Sequence, residues 1–180
     1  WLTSSPYLYP LRISGIVLAL LLGVATYAWL QRQEENRRSL ERAWQEAKKA
    51  QADLRLTEEF LNTVIDNIPS MIFVKDAQEL RFIRFNKTGA EMLGYSTTDF
   101  IGKNDFDFFP ENEARLFTGK DREVLNKGTL IDIPEETVET REHNKMVLHT
   151  RKIPIFDDTG KPIYLLGIAE DITKKLKAEA

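Results

Sequence analysis

From Ile13 to Leu30 the chain runs for 18 positions without a charged side chain, and a densely charged segment follows at once. No other feature so narrows what the chain can fold into. At 1.5 Å per residue such a run covers about 27 Å, close to the hydrocarbon thickness of a bilayer, with Arg12 able to snorkel outward. Tyr7 and Tyr9 on one flank and Tyr27 and Trp29 on the other suit the two interfacial belts. A secretory signal has a shorter apolar core and a small-residue cleavage pattern, and none follows Leu30. A core helix of a soluble protein would break into a loop, whereas this one continues into a polar helical pattern. The sequence therefore predicts a membrane-spanning helix over residues 12–30, preceded by an extracytoplasmic flank, 1–11. Arg32, Arg37, Arg38 and Arg42 crowd the carboxyl side against Arg12 alone on the other, which places everything after Leu30 inside the cell.

Once the span is set aside, the 180 residues leave room for one globular domain of roughly 100 residues. The formal net charge of −3 argues against nucleic acid as a partner, and no basic patch is interleaved with aromatics. The arginines after the span read as a topology signal with a contact to anionic lipid. There is no cysteine, which excludes disulfides, thiolate catalysis and a flavin–cysteinyl adduct, and two histidines cannot by themselves build a zinc site. The opening residue, Trp1, fits a piece of a longer protein or a processed product.

Residues 31–66 contain neither Pro nor Gly, and a stripe recurs in steps of three and four: Leu40, Ala43, Ala47, Ala50, Leu54, Thr57, Leu61, Val64 and Ile68. That is the seam of a coiled coil, with Leu40, Ala47, Leu54 and Leu61 as its dimer contacts. The small residues in it bury little apolar area and leave the seam weak. A solvated amphipathic helix packing on its own domain is the alternative, and its last two turns are expected to pack in that way. Pro69 ends the helix by disfavouring helical backbone at Ile68.

Beyond Pro69 the pattern becomes short and alternating. Met71–Lys75 and Arg81–Phe85 read as a hairpin. Asn86 caps a short helix that stops at Gly94, and residues 96–109 look irregular. Pro110 opens a helix that runs to Lys127 and closes at Gly128, with Ala114, Phe117 and Val124 on one face. Strands at about 129–140, 145–156 and 162–170 complete a five-stranded antiparallel sheet with helices massed on one side, an α+β fold.

This order of elements, the FNKTGAEMLGYS segment at Phe85–Ser96, Asp76 after the first strand and the GIAEDIT ending at Gly167–Thr173 resemble a PAS domain over about residues 58–173. The domain is expected over 67–173, with residues 174–180 starting a helix toward an output module. The span and helical rod resemble the front end of bacterial sensor histidine kinases and diguanylate cyclases. The resemblance implies that the Leu165–Gly167 face of the last strand looks into a cavity, together with Phe73, Lys75, Leu148, Thr150 and Lys152. Two lysines and a threonine around an apolar wall suit a small organic anion; a collapsed core whose lysines snorkel to water is the other reading. The opposite face of the last strand is expected to pack on the rod's end, with His149 on that side as a packed sheet histidine and His143 solvated in a turn. A haem sensor of this family would place a histidine on the helix at 110–127, which has none.

The expected role is input and not catalysis, in a homodimer held in the inner membrane that drives an output domain in cis. A ligand-free dimerisation spacer is the alternative. Asp171 and Thr173 are the candidate coupling residues, Thr173 as a cap and Asp171 as a hinge-fixing acceptor. No catalytic constellation is discernible; Glu135, Glu136, Glu139 and Glu142 read as a solvated acidic edge, and the histidine-kinase and cyclase motifs are absent.

Overall fold

A computed structural model describes residues 8–179, with side chains from Val17 to Ala178. The chain divides into two compact units, one up to Glu58 and one from Glu59 onward. Helix α1 runs from Leu8 to Asn67, 60 residues, and ends where Ile68-Pro69 deny it a further turn. In the first unit its described side chains, from Val17 onward, are all exposed, including the expected seam residues Leu40, Ala47 and Leu54. Intrahelical pairs decorate it: Arg37 with Glu41 and Arg38 with Glu34, each at 3.4 Å.

Among the described residues, no helix is long and apolar enough to cross a membrane. Of the expected span at 12–30, the side chains up to Ile16 lie outside the described residues. The part that is described, from Val17 to Leu30, carries no charged residue.

The second unit is built on a sheet of order β2-β1-β5-β4-β3, antiparallel at every pairing. Its strands are β1 (Met71–Asp76), β2 (Phe82–Phe85), β3 (Ile131–Glu139), β4 (Lys145–Phe156) and β5 (Pro162–Asp171). Between β2 and β3 come α2 (Lys87–Leu93), α3 (Thr97–Phe100) and α4 (Glu111–Lys127); α5 (Thr173–Glu179) follows β5. Two strands, a helical crossover and a three-strand meander are the expected topology. The stretch 96–109 is more ordered than expected: Ser96 and Asp99 form a capping box on α3, and Asn104 and Asp107 do the same for a 3-10 turn at Asp105–Asp107. Pro110 is the N-cap of α4 and not its first helical residue. Gly94 and Gly128, at φ 83° and 65°, are the left-handed residues that end α2 and α4.

Asn86 ties the last turns of α1 to the sheet. Its Oδ1 accepts from Ile72 N at 2.8 Å and Gly89 N at 3.0 Å, while Nδ2 donates to Ile65 O at 3.0 Å and Ser70 O at 2.9 Å. Asp66 accepts from Lys87 N at 3.0 Å, and Thr88 Oγ1 donates to Ile68 O at 2.9 Å. The last turns of α1 therefore bond to the β2–α2 junction, where those hydrogen-bonding groups sit, and not to the outer face of the sheet as expected. On that outer face Tyr164 and Ile155 remain exposed. His149 also lies there, half-buried, with Nε2 within hydrogen-bond distance, 2.8 Å, of Asp132 Oδ1.

The inner face carries the core. Phe73, Phe82, Phe85, Phe100 and Phe108 form an aromatic cluster, with Phe85 stacked on Phe100 at 3.8 Å between centroids. Stacked and edge-on aromatic pairs contribute beyond the area they bury. Leu80, Leu93, Val124, Leu148, Leu165 and Ala169 fill the remainder.

Candidate functional site

Alternation along β1 and β4 puts Phe73 and Lys75, and Leu148, Thr150 and Lys152, on the inner face. Register then aligns them: Phe73 and Lys152 both lie opposite Gly167 of β5, and Thr150 lies opposite Ala169. Those five residues line a cavity of about 40 Å³, together with Met71, Phe82, Phe85, Asp105, Phe117 and Glu136 among others. Of the seven residues expected at a ligand, Leu165 and Gly167 do not line it. Leu165 is fully buried in the core. At Gly167 the Phe73 ring fills the space, for a Cβ there would sit 2.0 Å from Phe73 Cζ. The missing side chain of Gly167 makes room for a ring of this chain, not for a ligand.

Both lysines are sealed in: Lys75 is 1 % and Lys152 2 % exposed, so neither snorkels. Their ammonium groups meet carboxylates that the sequence reading did not select. Lys75 Nζ donates to Asp105 Oδ1 at 2.7 Å and Oδ2 at 2.6 Å, and to Asp121 Oδ2 at 2.7 Å. Lys152 Nζ donates to Asp121 Oδ1 at 2.7 Å and lies 3.8 Å from Glu136 Oε1. Asp121 thus bridges the two lysines, and Lys75 also sits 4.6 Å from the centroid of the Phe82 ring. The groups expected to receive a ligand's carboxylate are already neutralised from within.

Glu136 reaches this cluster because β3 bulges. The register with β4 shifts between Ile133 and Glu136, at Pro134-Glu135, and the extra residue turns Glu136 and Val138 inward. Glu136, expected in a solvated acidic edge, is instead a cavity wall.

Burial, with Asp121 close by, pushes the Asp105 carboxyl above its ordinary range despite the attraction of Lys75. For Asp121 burial acts in the same upward direction, but the pull of Lys75 and Lys152 outweighs it and holds the carboxyl below the ordinary range. Lys152 is raised: burial opposes its charge, and Asp121 and Glu136 more than offset that. One polar atom in the wall stands apart. Thr150, 1 % exposed, has an Oγ1 with no hydrogen-bond partner.

The signal for Asp121 was present in the sequence. It falls in step with Ala114, Phe117 and Val124, a single carboxylate on the apolar stripe of α4. Asp105 lay in a stretch without periodicity, and nothing local marked it.

Near the start of β4, Val147 N donates to Thr173 Oγ1 at 2.9 Å, while Ile172 N donates to Val147 O at 2.9 Å. Asp171 Oδ1 accepts from Thr173 N at 2.8 Å. The two expected coupling residues therefore sit together where β5 passes into α5, one residue along β4 from the cavity wall at Leu148.

A family model described as PAS fold matches residues 65–176. The chain belongs to the PAS-fold family. Among solved structures, the PAS domain of an HTR-like protein from Haloarcula marismortui superposes with a TM-score of 0.56 at 21% identity, over 69% of this chain and 99% of that one. An RNA-binding light-oxygen-voltage receptor gives 0.60 at 14% identity, over 69% of this chain and 36% of that one. Identities at this level establish the fold alone. An uncharacterized protein, y4lL, of Sinorhizobium fredii is 28% identical over 118 residues, which are 65% of this chain and 14% of that protein. This chain thus spans a small part of the curated relative it matches. A PAS domain is a signal-sensing module in general terms, and the buried ionic cluster described above forms part of this one's inner wall.

Proposed function

We propose that the chain is the sensing and relay portion of a membrane-anchored bacterial signalling protein. In this reading residues 12–30 hold it in the inner membrane with the PAS domain on the cytoplasmic side. The helix at 31–66 pairs with a second copy through Leu40, Ala47, Leu54 and Leu61, and α5 leads to an output domain in cis. Catalysis belongs to that output domain and not to this chain. The observation that carries the reading is the junction at Val147, Asp171 and Thr173, which fastens the cavity-lining strand β4 to the start of α5. A change of packing at Leu148 or Thr150, one and three residues along β4 from Val147, is then felt at a helix start.

In the parent protein, Asp171→Ala is expected to leave fold and dimer intact and to abolish the stimulus-dependent change in output, with faster amide exchange at Thr173. Unchanged signalling would sink the relay. Anchoring has its own check: recovery of the whole chain in the aqueous phase without detergent would remove it.

A second reading, a ligand-free dimerisation spacer, is supported by the size of the cavity. About 40 Å³ is far below the roughly 300–1,000 Å³ of ordinary ligand pockets.

A further inference from the structure

Five ionisable groups meet at the cavity: Lys75, Lys152, Asp105 and Glu136 in its wall, and Asp121, which does not line it but bonds to both lysines. Four of them are committed to one another at 2.6–2.7 Å, and Glu136 stands beside Lys152. An anion entering here would have to displace a carboxylate held in place by the fold, next to two others. A cation would meet two ammonium groups facing the same space. Thr150 presents the opposite situation. Its hydroxyl is sealed from solvent, borders the cavity and lacks a partner. A buried hydroxyl left unpaired is costly, and a hydroxyl can both donate and accept. Apart from the ionisable groups, the cavity wall is largely apolar: Met71, Phe73, Phe85, Phe117, Val138 and Leu148. A cavity of about 40 Å³ has room for roughly three water-sized groups.

We infer that this cavity selects a small uncharged molecule with one hydrogen-bonding head, an amide or an alcohol, seated on Thr150 Oγ1, and rejects ions of either sign. The ionic cluster does not bind the ligand. It removes both signs of charge from competition and leaves Thr150 as the group that asks for a partner. The inference rests on the sensory reading of the domain and specifies its ligand class. It replaces the small organic anion that the two lysines alone imply.

The test uses formamide and formate, which have the same number of non-hydrogen atoms and differ in charge, with methylammonium as the cation. Each is titrated into the whole chain at constant pH and ionic strength, and the methyl resonances of Leu148 and Thr150 are followed. Formamide is expected to give a saturable shift and the two ions none. Thr150→Val keeps the shape and removes the hydroxyl; at Leu148 it should weaken formamide by about fivefold, the size of one net hydrogen bond. Thr150→Ser, which keeps the hydroxyl, should retain saturable binding. Saturation by either ion, no saturation by formamide, or an unchanged affinity in Thr150→Val overturns the inference. None of these outcomes bears on Asp171→Ala, so the relay stands or falls separately.

Discussion

The helix up to Glu58 and the inner face of the PAS sheet both pair acids with bases, but in opposite surroundings. On the helix, Arg38 and Glu34 meet at 3.4 Å with about two thirds of each side chain in water. In the sheet, Asp121 meets Lys75 and Lys152 at 2.7 Å with none of it in water. An exposed i,i+4 pair contributes about 0.3–0.5 kcal/mol, because water screens it and two long side chains must be held still. A buried pair has lost its hydration, so its value appears when one partner is removed and the other is stranded. Equal chemistry thus yields decoration in one region and a structural requirement in the other.

The largest way to break this comparison is Asp121→Ala. It removes the carboxylate that two buried ammonium groups share, leaving Lys75 on Asp105 and Lys152 with Glu136 at 3.8 Å, and urea unfolding should show a loss of about 3–5 kcal/mol. A loss below 1 kcal/mol would mean that water reaches the cluster and that the contrast is false.

An intermediate test uses pH. The Asp121 carboxyl is lowered from an ordinary 3.8, so its stabilisation is fully present above that value and lost as pH falls through the folded-state value below it. Asp105 is raised, so its sign is reversed: its contribution is fully present below 3.8 and lost as pH rises through its folded value. Stability followed from neutral pH downward should therefore first rise and then fall. Asp76, lowered against its own partial burial by hydrogen bonds from the Glu79, Arg81 and Gln78 amides, adds to the fall. Asp105→Asn should flatten the rise and leave the fall; a profile identical to the parent's would refute the assignment.

The smallest effect sharpens the other side. Arg38→Ala should leave the unfolding midpoint within experimental error, and sensitivity there would show that the helix has a partner which buries this pair.

The difference between the regions also explains what could be read in advance. Strand alternation put Phe73 with Lys75, and Leu148 with Thr150 and Lys152, on shared faces because a period of two is a local property, while the family resemblance said that those faces look inward; Asn86, Gly94 and Gly128 are cap residues with local geometry. The lysines' partners are not local. Asp105 and Asp121 lie 30 and 46 positions from Lys75, and only the fold brings them to it. Glu136 was grouped with solvated carboxylates because the bulge that turns it inward is set by the pairing of β3 with β4, which no local pattern shows. The segment before Leu30 illustrates another limit: an apolar run gives a length and an absence of charge, and neither says what surrounds the helix.

The bulge at Pro134-Glu135 has one more effect. β3 is a rim of the sheet, and Pro134 has no N–H to offer a neighbouring chain, while the register break bends what remains. At the opposite rim β2 has only four residues. Neither border is a good template for another strand, so the sheet resists growing into fibrils edge to edge, and any copy-to-copy association must use faces and helices instead.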